Sequence, residues 1–265
     1  MSKDSRTPLL RIVADDFGLH ESVNRGILDL ADAGAIDAVS VMFHKNANLD
    51  LLDALVATGV QIGCHLVLVE EQPCSDLAPS PLPTNYRELF SRSALDNGTK
   101  RWVFAEADAQ IKRAIARGIQ LGFLNSHQHV HLFPSLWKTL VPIFRAYHIP
   151  VRCCVQIRPG PIKQMAVELS SLVSLMTAPS PGVPLIHPLG IQDAGYADEN
   201  TARNVADRAA RLPQNAQAEF VIHPGFESPD LAARYAHWNY SWNEEWTLSK
   251  SGSFRQAMLQ RLESR

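Results

Sequence analysis

Cysteine is scarce in this chain of 265 residues: there are four, Cys64, Cys74, Cys153 and Cys154, with no CxxC spacing. The adjacent Cys153–Cys154 pair bridges poorly, so no disulfide framework is expected. An excess of one charge is also missing. The formal balance is −2, which leaves no basic field to attract a phosphate backbone and argues against nucleic acid as a partner. No run of about 18 apolar residues occurs, so no integral membrane segment is expected. The opening stretch, MSKDSRTPLLRIVADD, lacks the apolar core of a secretory signal. A cytoplasmic, reducing location follows as the expectation.

What is present describes an ordinary globular protein, with 46% hydrophobic and 20% charged residues. The length allows one or two domains, and α/β barrels of this size commonly form one. Neither an internal repeat nor a linker divides the sequence, so a single catalytic domain over 1–265 is expected.

Hydrophobic periodicity alternates between strand and helix. Leu9–Ala14 reads as a buried strand opening into the loop Asp15-Asp16-Phe17-Gly18. Glu21–Ala33 reads as a helix stopped by Gly34, and Ala38–Phe43 as a second strand. Leu49–Thr58 is helical and Val60–Val69 a third strand. Glu106–Arg117 is a strong helix, and Gly122–Ser126 a fourth strand running into His127-Gln128-His129-Val130-His131. Leu136–Tyr147 is helical and Val151–Ile157 a fifth strand. Ala166–Met176 and Thr201–Leu212 read as helices, the Pro/Gly-rich stretch Ala178–Gly190 as loops or a short strand around Leu185–His187, and Ala218–His223 as a late strand. A last helix follows Ser249. Long loops are expected near 70–100 and 159–195. This alternation predicts a parallel sheet covered by helices, a (β/α)-barrel-like fold of irregular TIM type.

In such folds chemistry collects at the C-terminal strand ends. The polar clusters occupy those places: Asp15-Asp16, His65, His127 to His131, and His223. Adjacent carboxylates at a strand end repel unless a cation compensates; the plainer reading is a turn or helix cap. A lone His65 in an apolar strand is ordinarily a hydrogen-bonded core residue, although Gly63 permits close backbone approach. The HxHxH run is more specific. Alternate positions of an extended segment face one side, so three imidazoles could face one site, with one as ligand and the others orienting water or substrate the more economical reading; the plainer reading is a His-rich polar loop. His223-Pro224-Gly225 is either a catalytic strand end or a turn built by Pro and Gly, and His187-Pro188 reads as the turn.

Taken in order, Ala14-Asp15-Asp16-Phe17-Gly18, Gly63-Cys64-His65-Leu66, Ser126-His127-Gln128-His129-Val130-His131 and His223-Pro224-Gly225 resemble the YdjC-like carbohydrate deacetylases. That family includes the chitooligosaccharide deacetylases. The run His65 to Glu70 is similar to the hopanoid-biosynthesis branch, which acts on an N-acetylglucosaminyl lipid. The resemblance spans roughly residues 9–246 and departs at Asn125 and Gln128, where many members carry Asp and His. It implies one divalent metal ion, Mg²⁺ or Zn²⁺, on Asp16, His65 and His127. It further implies Asp15 as general base and His223 as general acid, with Asn125, His129 and His131 touching substrate or supporting the ligands. The implied substrate is an N-acetylated amino sugar. Two other readings stay open: a metal-dependent amide or phosphoester hydrolase of another kind, and an inactive sugar-binding barrel using Trp102, Trp137, Trp238 or Trp242. A homodimer is the default closed assembly.

Overall fold

The computed structural model describes residues 9–153, 162–179, 182–190, 199–212, 216–238 and 240–263. Its first half contains β1 (Leu9–Phe17), α1 (Glu21–Asp32), β2 (Ala38–Met42), α2 (Leu52–Ala57), β3 (Gln61–Leu66), α3 (Tyr86–Leu95), α4 (Asn97–Ile115) and β4 (Leu124–Ser126). A 3₁₀ turn over His127–Leu132 leads into α5 (Pro134–Tyr147), β5 (Val151–Arg152), α6 (Ile162–Thr177), β6 (Leu185–Gly190), α7 (Glu199–Ala209) and β7 (Gln217–Ile222). The chain finishes with α8 (Pro229–Tyr235), α9 (Trp242–Lys250) and α10 (Ser253–Glu263). The strands follow one another in sequence order and form a closed parallel barrel of seven. The expected (β/α)-barrel-like class holds.

Two compact units divide the chain. The first takes the described residues of 1–39, 49–60 and 186–265. There β1 runs parallel to β7, with Leu9 opposite Gln217 and Ala14 opposite Ile222. β6 also pairs with β7, and its register slips between Pro188 and Gly190. Proline has no N–H to give a ladder, so the slip falls where the sequence removes the donor. α1 starts on His20, whose Nδ1 accepts the Ser22 N–H, and ends before Gly34 at φ 64°. Glycine reaches that left-handed conformation without a Cβ clash.

The second unit takes residues 40–48 and 61–185. Here β3 pairs with β4, setting His65 opposite Asn125, and β4 pairs with β5. Gly63 lies against the Phe123 ring, and an added Cβ would stand 2.5 Å from its carbons. β2 and nearly all of β3 are buried, as parallel strands covered on both faces require.

Several expected boundaries move for identifiable reasons. β1 continues through Asp15 and Asp16 to Phe17, so the two acids lie in the strand rather than in a loop after it. The expected loop near 70–100 ends early. Asn85 accepts the N–H groups of Arg87 and Glu88 to start α3, and Asp96 accepts those of Gly98 and Thr99 to start α4. These caps satisfy donors that a helix start otherwise leaves open. A run that reads as turn-forming, Asp96-Asn97-Gly98, therefore begins a 19-residue helix. Within the expected loop of 159–195, α6 and β6 are regular; residues 159–161, 180–181 and 191–195 lie outside the described set, as do Cys154 and the remainder of the expected fifth strand.

Candidate metal centre

Two buried acids, Asp15 and Asp16, precede Phe17 at the end of β1, at 0% and 1% exposure. Asp16 has φ 73°, a left-handed conformation uncommon outside glycine, and strain of this kind persists where surrounding structure enforces it. Beyond it, the Gly18 N–H donates to Asn24 Oδ1 at 2.7 Å.

His65 sits one residue before the end of β3 and is buried. Its Nδ1 is 2.7 Å from Asn125 Oδ1, which also accepts the Ser40 hydroxyl at 2.6 Å. Ser40 Oγ lies 3.2 Å from the same Nδ1. An amide oxygen only accepts, so Nδ1 carries the proton and Nε2 keeps its lone pair. A histidine held this way is oriented as a ligand through Nε2. Asn125 and Ser40 thus meet the same ring nitrogen of His65. Cys64 next door is not a competing ligand. Burial pushes its thiol far above the ordinary range, so it stays protonated and inert.

The His-rich run departs from expectation. Instead of an extended segment it forms the 3₁₀ turn, with Gln128 at φ 51° and His129 at φ 54°. The period-two argument fails because the chain turns immediately after β4. The three imidazoles separate. His127 is buried at the strand end, with its ring centroid 5.7 Å from that of His65. His131 is buried elsewhere; its Nδ1 is 2.6 Å from Ser126 Oγ and its Nε2 is 2.9 Å from the Arg152 carbonyl. His129 is only partly buried.

One ligand atom from each of Asp16, His65 and His127 lies within 4.8 Å of the others, and all three residues are buried. Tetrahedral donors about 2.0–2.2 Å from one ion stand about 3.3–3.6 Å apart, so atoms gathered within 4.8 Å are near ligating spacing and a small inward shift would close them on an ion. One carboxylate and two imidazoles make a donor set that fits a catalytic divalent ion and leaves positions open.

Sequence reasoning missed several neighbours. Glu70, at φ 69°, accepts the Gln128 amide at 2.8 Å and stands 3.7 Å from His127 Nε2. The signal was an acid ending the apolar run Leu66–Val69. Buried Glu106 accepts the N–H groups of Cys74 and Ser75 and the Gln110 amide, while Gln110 in turn accepts the Val67 N–H. Together they pin the segment after β3. An acid at a mid-helix position gave no hint of this.

His223 follows β7 and is buried. Its backbone N–H donates to the Glu245 carboxylate, and its ring lies 4.5 Å from that of Tyr240. It does not belong to the Asp16, His65 and His127 group. The turn after it is packed tightly: a Cβ on Gly26 of α1 would meet Gly225 Cα at 2.7 Å. His187 lies within β6, opposite Ala218.

A closed parallel barrel with a buried carboxylate and two imidazoles at strand ends defines a class, that of barrels able to hold one catalytic divalent ion. Within that class, the chain belongs to the YdjC-like family, whose model matches residues 9–260. It is similar to a carbohydrate deacetylase of Brevibacillus brevis, 28% identical over 148 residues, covering 54% of this chain and 58% of the relative. A carbohydrate deacetylase of Vibrio parahaemolyticus is 29% identical over 147 residues, covering 52% and 56%. The matches thus span little more than half the length of these relatives. Among solved structures, the chain is similar to an Enterococcus faecalis V583 protein provisionally named for cellobiose-phosphate cleavage. The TM-score is 0.66 at 20% identity, covering 96% of this chain and 95% of that one, which supports the fold alone.

Proposed function

We propose that this protein is a metal-dependent hydrolase that removes the N-acetyl group from an N-acetylated amino sugar, either a chitooligosaccharide or an N-acetylglucosaminyl lipid. The observation that carries the reading is the approach of Asp16, His65 and His127 donor atoms within 4.8 Å. The relatives named carbohydrate deacetylases supply the substrate class.

Asp16, His65 and His127 would hold the cation. Bound there, a divalent ion supplies Lewis acidity, acidifying a water and polarising the amide carbonyl. Two imidazole donors suit zinc better than magnesium. Asp15, buried beside Asp16, takes the proton of the attacking water. His223, whose Nδ1 has no hydrogen-bond partner among the described residues, gives a proton to the departing amine as the carbon–nitrogen bond breaks. Asn125 and Ser40 hold the His65 tautomer. His129 is assigned to the substrate side because it is only partly buried, and His131 to structural support because both its nitrogens have protein partners.

The test is acetate release from N-acetylglucosamine, N,N′-diacetylchitobiose and an N-acetylglucosaminyl glycolipid, with metal content measured on the same samples. Asp15→Asn should retain the metal while kcat falls by about 10²–10⁴, the range for a lost general base. Asp16→Ala should lose metal and turnover together. Wild-type turnover in Asp15→Asn, or phosphate release from a phosphoester with no acetate from any sugar, would refute the reading.

A further inference from the structure

Burial separates the five tryptophans into those that pack and those that can touch a ligand. Trp137 is fully buried with its indole N–H on the Ala178 carbonyl, and Trp102 keeps only 7% exposure. Trp246 is half-buried, but its N–H donates to Asp29 at 2.9 Å and its ring abuts Phe226. Two remain: Trp238, at the end of a short 3₁₀ turn after α8 and partly exposed, and Trp242, buried but with its indole N–H unpaired among the described residues.

Trp238 belongs to a chain of rings that ends at His223. It lies 4.5 Å from Tyr235 on one side and 5.6 Å from Tyr240 on the other. Tyr240, also partly exposed, stands 4.5 Å from His223 and 5.7 Å from Trp242. Tyr235 is 3% exposed and has the Arg234 guanidinium 5.0 Å from its centroid, so Trp238 rests on a rigid base.

A second observation is independent of the rings. Trp242 Nε1 and His223 Nδ1 are buried, and neither has a hydrogen-bond partner among the described residues. Both residues keep only 6% exposure. Buried polar atoms are overwhelmingly paired, so two unpaired ones flanking a single tyrosine ring point to a ligand with its own polar groups. The indole N–H only donates and requires an acceptor. A molecule with an apolar face for aromatic stacking and hydroxyl oxygens at its rim meets both demands. A pyranose ring is such a molecule.

We propose that Trp238, Tyr240 and Trp242 form a pyranose-binding subsite beside His223, with the sugar's CH face on the exposed rings and a hydroxyl oxygen accepting the Trp242 N–H. The inference rests on the reading of the Asp16, His65 and His127 centre as a sugar-deacetylating site. It gives that site the residues that orient its substrate.

The experiment measures saccharide binding without turnover. The EDTA-treated protein is titrated calorimetrically with N-acetylglucosamine and N,N′-diacetylchitobiose, using wild type, Trp238→Leu, Trp238→Phe and Trp242→Phe. Each variant keeps apolar bulk, and near-UV circular dichroism checks the packing. Trp238→Leu should weaken Kd about tenfold, Trp238→Phe should stay within about threefold of wild type, and Trp242→Phe should weaken it about fivefold. Wild-type Kd in both Trp238→Leu and Trp242→Phe overturns the subsite, as does a wild type that binds neither sugar. The predicted pattern of Kd values without acetate release from the metal-loaded protein leaves the subsite standing and removes the deacetylase reading. Acetate release with an unchanged KM in Trp238→Leu does the reverse.

Discussion

Replacing Asn125 by alanine separates a positioned ligand from a core histidine. In the native protein Asn125 Oδ1 receives the His65 Nδ1–H at 2.7 Å and the Ser40 hydroxyl at 2.6 Å, at a residue only 1% exposed. Without it, His65 loses the acceptor that keeps Nε2 unprotonated and aimed. Loss of such an outer partner costs about 10–100-fold in metal affinity, or about 1.4–2.8 kcal/mol. The structure indicates which end applies. Ser40 Oγ already lies 3.2 Å from the same nitrogen and can take over as acceptor, so Asn125→Ala alone should fall near tenfold. The double variant Ser40→Ala/Asn125→Ala should approach a hundredfold. Asn125→Asp keeps the acceptor and adds a charge that raises imidazole basicity, so its affinity should equal or exceed wild type. Isothermal titration of zinc into the EDTA-treated proteins measures all four. A double variant that binds zinc within twofold of wild type, with its circular dichroism unchanged, would refute the tautomer argument and with it the assignment of His65.

Gly26→Ala places a Cβ 2.7 Å from Gly225 Cα, so α1 or the turn bearing His223 must move. A loss of about 1–3 kcal/mol is expected, with a fall of several degrees in Tm by calorimetry and lower turnover; an unchanged Tm would contradict the close approach. Glu106→Ala removes the acceptor for the Cys74 and Ser75 N–H groups. Amide exchange followed by mass spectrometry should quicken over residues 67–75 and stay constant in β1 and β7. Burial pushes the Cys153 thiol from its ordinary 9.0 up to about 11, so iodoacetamide at pH 8 should modify it only after unfolding, as read from its peptide mass. The folded state holds that proton to higher pH than the unfolded chain does. Its contribution to stability is therefore complete below pH 9 and is lost as pH rises toward 11. The urea midpoint should accordingly be lower at pH 10.5 than at pH 8.

Periodicity and local chemistry were enough to determine the βα alternation, and hence the barrel, because strand and helix repeats are properties of neighbouring residues. They also placed Asp16, His65, His127 and His223 at strand ends, since a polar residue terminating an apolar run is visible in one dimension. The folded chain alone decided the rest. The left-handed Gln128 and His129 turned an apparently extended HxHxH run into a tight 3₁₀ turn, sending His127 and His131 to different partners. Asn85 and Asp96 made helices of a stretch that reads as loop. The links from Ser40 and Asn125 to His65, and from Glu245 to His223, join residues 22 to 60 positions apart. No local pattern encodes such pairs: strand register in the barrel brings the first two together, and the return of α9 to the end of β7 brings the third.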